Sequence, residues 1–281
     1  LFLRELAGLR SPAMDVRSTP ASLRKIILER LSELTHFESR ILQVVGLLGS
    51  HATVHRVRSM MRSGPEDFVG SLEALSHSGI VSLGGSGILE LHDSWRAALF
   101  EQLPQSARVA LGLECAELLV ADNSNEDYLD RTWRAAELLL DSGARGRAAS
   151  LFELAGDELA NRRLLTEAAE AYKRALAATG SSSVSVVFLE KCASVQHAAR
   201  DFDATLSTCI SALAATSSNG ARAANSRAHF QALVVDSLWK SGRDYRSELE
   251  LLAQRVSQPG LGPEACHFGA LVGLRLLLND G

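Results

Sequence analysis

The chain has 281 residues, 46% of them hydrophobic, and carries a formal net charge of −4. That is enough chain and apolar content for two or more domains with real cores. The slight acidity excludes a protein that coats nucleic acid or clings to acidic membrane through bulk positive charge.

The segment LFLREL opens the sequence without an initiator methionine and already reads as an amphipathic helix, so the chain is expected to be a piece of a longer protein. Residues 1–19 are taken as a helix end and linker. Thr19 is a plausible N-cap and Pro20 suits a first helical turn. Behind them Leu23, Ile26, Ile27, Leu31 and Leu34 recur at helical spacing. A second helix carries Ile41, Leu42, Val45 and Leu48 and stops at Gly49, and a third holds Val54, Val57, Met60 and Met61. Ser63-Gly64-Pro65 then breaks the chain before a fourth helix that should bury Phe68, Leu72 and Leu75 and end at Gly79. Two alternating runs, Ile80–Leu83 and Ile88–Leu91, flank Gly84-Gly85-Ser86-Gly87, where glycine supplies the positive φ of a tight hairpin. Helices followed by a hairpin give the order of a winged helix, assigned to residues 20–105.

The strand pattern stops there. Residues 106–281 read as helical repeats, because LLTEAAEAYKRALAAT at 164–179 aligns without gaps on DFDATLSTCISALAAT at 201–216, an offset of 37 residues. Self-similarity at that period marks a stack of helical hairpins. Ala168, Tyr172 and Ala175 have the spacing of the second helix of a tetratricopeptide repeat (TPR), in which small residues let helices approach and the tyrosine fills the gap beside them. A third unit takes 221–240 as one helix, SGRDY as the turn and 247–256 as its mate, and a further helix follows Pro263. The expected fold class is therefore mainly α: a winged helix with a small β-hairpin, then an α-helical TPR-like superhelical array.

Chemistry-bearing motifs are few. The glycine run lies between two strands, not between a strand and a helix, and no G-x-x-x-x-G-K-[ST] run exists, so the chain holds no complete nucleotide-binding site. His51 and His55 share a helical spacing but lack the acidic or cysteine company of a metal site. The four cysteines, Cys115, Cys192, Cys209 and Cys266, are scattered, which suits buried, reduced thiols. No nucleophile motif appears, so this segment is expected to have no catalytic residues, no metal and no cofactor of its own. The fourth helix, where a winged helix would read DNA, contains Glu66, Asp67 and Glu73 but no lysine or arginine, which argues against direct nucleic-acid binding. Arg56, Arg58 and Arg62 on the helix before it fit a solvated or interdomain face equally well. No run is long enough to cross a membrane and nothing resembles a signal peptide, so the expected compartment is the cytoplasm. At ILELHDSWRAAL, residues 88–99, the hairpin passes at once into a helix. Asp93, or else Ser94, is expected to cap that helix, with His92 filling the junction.

The order of these parts resembles the signal-transduction ATPases with numerous domains (STAND), more narrowly the maltose-activator-like, LuxR-type ATP-dependent regulators. The residues that carry the likeness are LFLREL, similar to the segment at the end of the family's ATPase lid; TPASLRKIILERLSELTHFESRILQVVGLLG and LEALSHSGIV, similar to its winged helix; and AAEAYKRALAAT, similar to its repeat helices. In related apoptotic and disease-resistance ATPases an M-H-D triplet leaves the winged helix and its histidine touches the β-phosphate of ADP. Leu91-His92-Asp93 matches that triplet with leucine for methionine, which makes His92 the candidate ADP-phosphate sensor of the full-length protein. The histidine usual in the family's first repeat helix falls near Trp133, a departure. The resemblance implies a regulatory segment of an ATP- or ADP-binding parent. Its winged helix would relay nucleotide state to and from the parent's own ATPase core. Its repeats would bind an inducer, a protein or further copies of the same molecule. The alternative is a free-standing TPR scaffold for protein–protein interaction without nucleotide control.

Overall fold

The computed structural model describes residues 21–61, 64–85, 87–122, 128–179, 185–216, 221–257, 261–263, 269–270 and 273. The expectations for residues 1–19, Arg62, Cys266 and most of the last helix lie outside them. The chain divides into two compact units, 1–144 and 145–281.

In the first unit, helix α1 (Ala21–Glu33) buries Ile27 and Leu31, while Ile26 is 51% exposed, so the buried stripe is narrower than the apolar spacing suggests. Helix α2 (His36–Leu48) begins on a capping box: the Glu38 N–H donates to Thr35 Oγ1 at 3.2 Å and the Thr35 N–H to Glu38 Oε2 at 2.8 Å. Those reciprocal bonds satisfy donors that a helix start leaves unpaired. The four apolar residues read from the sequence, Ile41, Leu42, Val45 and Leu48, are all buried. Gly49 ends the helix at φ 59°, and a 3-10 turn over Gly49–His51 follows.

Helix α3 (Val54–Met60) is capped by Thr53, which also forms an isolated antiparallel bridge to Ile88. Helix α4 (Pro65–His77) buries Phe68 and Leu75, leaves Leu72 half-buried, and is followed by Gly79 at φ 69°. Strands β1 (Val81–Leu83) and β2 (Leu89–Leu91) pair antiparallel, with Val81 opposite Leu91 and Leu83 opposite Leu89. Gly87, at φ 74°, closes the turn by donating to the Gly84 carbonyl at 3.0 Å. The bridge at Thr53 adds one paired residue to the hairpin, so the observed order is two helices, a bridge, two further helices and the hairpin. Helices α5 (Asp93–Gln102), α6 (Gln105–Ala121) and α7 (Tyr128–Asp141) complete the unit.

Two cationic contacts tie these later helices to those before the hairpin. Arg134 on α7 donates from Nε and Nη2 to the Leu47 carbonyl at 3.0 and 2.6 Å, neutralising part of the negative end of α2. Arg56 on α3 pairs with Asp122, the C-cap of α6, at 2.7 Å. The first compact unit thus runs past residue 105, because α6 packs on α2 and α3 and α7 packs on α6.

The second unit is built of helical hairpins: α8 (Arg145–Asn161) with α9 (Leu165–Thr179), α10 (Val186–Ala198) with α11 (Phe202–Ala215), and α12 (Ala221–Lys240) with α13 (Arg246–Val256). The three turns share one geometry. Arg163, Arg200 and Gly242 take left-handed φ values of 63°, 62° and 71°, and the next N–H returns to a carbonyl of the preceding helix. Arg163 and Arg200 stand one 37-residue period apart, so the sequence repeat is a structural repeat. Ala168 and Ala175 are fully buried and Tyr172 is 2% exposed, as the TPR spacing requires. Leu189, Ala193, Leu206, Cys209, Phe230 and Leu233 join α10, α11 and α12 in one core.

Candidate functional site

The wing exit is organised around His92, which has extended backbone (φ −61°, ψ 142°) and is itself the N-cap of α5. The Ser94 N–H donates to His92 Nδ1 at 3.2 Å. This corrects the expected capping residue. Asp93 already lies inside the helix, and its carboxylate takes an ion pair from Arg96 at 3.2 Å. An imidazole that accepts through Nδ1 carries its proton on Nε2 when neutral. His92 is solvent-exposed, and Nε2 is the ring nitrogen not used in capping. A free N–H donor fits a phosphate oxygen.

The remaining sequence candidates are structural. His51 is buried in the 3-10 turn and its carbonyl accepts from Arg56 Nη1 at 3.1 Å, whereas His55 is exposed. Among the described residues no group of three or more His, Cys, Asp or Glu is placed to hold a metal. Trp133 is 8% exposed and donates from Nε1 to Glu137 at 3.1 Å. Glu66, Asp67 and Glu73 lie on the exposed side of α4, while Arg56 is committed to Asp122. The outer face of the would-be recognition helix is therefore acidic, the wrong sign for phosphates. Among the described residues no helix is long and apolar enough to cross a membrane.

Sequence reasoning missed a cleft of ≈ 830 Å³ in the second unit, formed by the first helices of three successive hairpins, α8, α10 and α12, with Tyr172 of α9. Its floor is a tight polar network. Lys191 Nζ donates to both Asp157 oxygens at 2.8 and 3.1 Å and to Glu153 at 3.2 Å. Tyr172 donates its hydroxyl to Asp157 at 2.5 Å. The Asp157 and Glu153 carboxylates hold the Lys191 ammonium above its ordinary pKa. Burial, reinforced by the Asp157 acceptor, raises the Tyr172 phenol. Gly156 makes room for the tyrosine, since a Cβ there would stand 2.7 Å from the ring. On the opposite wall Ser194 Oγ meets His229 Nε2 at 3.3 Å, and burial lowers the His229 pKa. The one periodic signal that pointed here was Tyr172. The rest depends on residues brought together from three repeats.

No protein-family model matches the chain, and no curated protein is similar to it. Among solved structures it is similar to a signal transduction ATPase with numerous domains carrying a tetratricopeptide repeat sensor, from Pyrococcus horikoshii. The identity is 14% and the TM-score 0.38, and the match covers 94% of this chain and 51% of that one. The chain thus spans about half the length of the protein it matches.

Proposed function

We propose that this chain is the non-catalytic regulatory part of a STAND-type ATP-dependent signalling or transcriptional regulator. Its winged helix reports nucleotide state, and its repeats bind an inducer or a protein. The observation that carries this reading is His92: an exposed imidazole at the wing exit with one nitrogen engaged in capping and an N–H left to donate. ADP, when bound to the parent's ATPase core, supplies a phosphate acceptor. His92 then gives the wing a contact present in one nucleotide state and absent in another, the differential interaction that a switch requires. The sequence order of lid segment, winged helix, L-H-D and repeats supports the same reading.

The test uses the full-length protein. His92→Asn keeps a good N-cap while withdrawing the imidazole. Faster release of bound ADP and raised basal activity are the expected results, with α5 still intact. ADP retention equal to wild type in that variant leaves His92 only its capping role and sinks the sensor assignment.

A further inference from the structure

The cleft on α8, α10 and α12 has an uneven supply of charge. Its charged lining residues are Asp157, Glu190 and Lys191. Lys191 and Asp157 satisfy one another, with Glu153 adding a second carboxylate to the same ammonium. His229 brings no opposing charge near neutral pH, since burial disfavours its protonated form. Glu190 is left as the charge in the cleft with no ion-pair or hydrogen-bond partner among the described residues, and it acts electrostatically on the His229 ring. Ser226, only 4% exposed as a residue, lines the same cleft. Asn225 is held in place, because its Oδ1 accepts the Gly262 N–H at 2.8 Å.

We propose that this cleft binds a small organic cation, an amine or guanidine, with Glu190 opposing its charge and Ser226 accepting one of its N–H groups. The proposal rests on the reading of the repeats as the sensor and gives that sensor its ligand class. An anion is disfavoured, because the ammonium at the cleft is already shared between two carboxylates. A purely apolar ligand would leave Glu190 unpaired as it excluded water. The size suits a small molecule, since ligand pockets run from about 300 to 1,000 Å³.

The experiment is isothermal titration of the 281-residue chain with three four-carbon probes that differ in charge: putrescine, 1,4-butanediol and succinate. Putrescine should bind saturably, and the diol and the dianion should not. Glu190→Gln should weaken putrescine binding by about tenfold or more, the usual worth of a lost charge-assisted hydrogen bond. Ser226→Ala should weaken it less. Glu190 has no partner among the described residues, so the melting temperature of Glu190→Gln should match wild type. Ser226→Ala supplies the second reading if it does not. Butanediol binding as well as putrescine, indifference to both substitutions, or no saturation with millimolar putrescine overturns the proposal. No nucleotide enters this titration, so its failure leaves the His92 assignment standing, and normal ADP retention in His92→Asn leaves the cleft standing.

Discussion

Replacing Gly156 with alanine adds one methyl group to the face of α8 that meets the Tyr172 ring. That carbon would lie 2.7 Å from Cε1, 2.8 Å from Cδ1 and 3.1 Å from Cζ of the tyrosine, inside normal contact distance. The ring has little freedom to retreat. Its hydroxyl is held by Asp157 at 2.5 Å, its side packs edge-on against Phe188 with centroids 5.7 Å apart, and the residue is 2% exposed. Overpacking of this kind costs about 1–3 kcal/mol. Alanine recovers about 1 kcal/mol through its better helix propensity, so the net loss is up to about 2 kcal/mol. Thermal unfolding followed by circular dichroism should show a fall of up to roughly 6 °C in the transition of the second unit. Adding Tyr172→Phe to Gly156→Ala should return part of that loss by freeing the ring to slide. Gly70→Ala, in the exposed middle of α4 with nothing within 4 Å of the new carbon, should instead stabilise the first unit by about 1 kcal/mol. A Gly156→Ala variant stabilised by about 1 kcal/mol, as Gly70→Ala should be, would refute the packing argument and with it the role of Tyr172 as the wedge between α8 and α9.

Arg134→Ala removes two hydrogen bonds from the Leu47 carbonyl and should destabilise the first unit by about 1.5–3 kcal/mol, read from urea denaturation. Lysine at that position, unable to present the same fork, should restore only part of it. Burial pushes the Cys115, Cys192 and Cys209 thiols up to about 12 from 9.0. Each folded thiol stays protonated while its unfolded counterpart ionises, so stability is intact below about pH 9 and is lost as pH rises toward 12, by up to about 1.4 kcal/mol per pH unit for each thiol. Urea midpoints measured under reducing conditions from pH 8 to 10.5 should fall, and alanine at all three positions should flatten the slope whatever its effect on absolute stability. Arg163→Gly should leave the second unit as stable as wild type or raise it by up to about 1 kcal/mol, because glycine takes φ 63° without the penalty of a side chain. Arg163→Val should lower the melting temperature by several degrees, and a valine variant with unchanged melting would refute strain at that turn.

What the sequence made legible was whatever is written within one helix or one hairpin. The stripe of Ile41, Leu42, Val45 and Leu48, the glycine turn of the wing and the 37-residue repeat depend on local periodicity, and each has its counterpart in the fold. The N-cap of α5 was missed although it is local. Asp and Ser outrank His at that position by propensity, but the backbone turns helical at Asp93, one residue earlier than those residues would need. The bridge at Thr53 was invisible for a different reason: one paired residue leaves no alternation to read.

Apart from Tyr172 the cleft could not be read, because its decisive pairings span more than one repeat. Glu153 and Lys191 lie 38 residues apart, about one period, and along the sequence each looks like an ordinary charge on a solvated helix face. Stacking brings equivalent faces of successive hairpins together, so a charge on one repeat is judged by what the same face of the next repeat carries. Lys191 finds Asp157 and Glu153 on α8 and is neutralised, whereas Glu190, the residue beside it, lines the cleft with His229 and Ser226 of α12 and has no ion pair among the described residues. In a repeat array binding chemistry is therefore where the periodic pairing fails, and here it fails at Glu190.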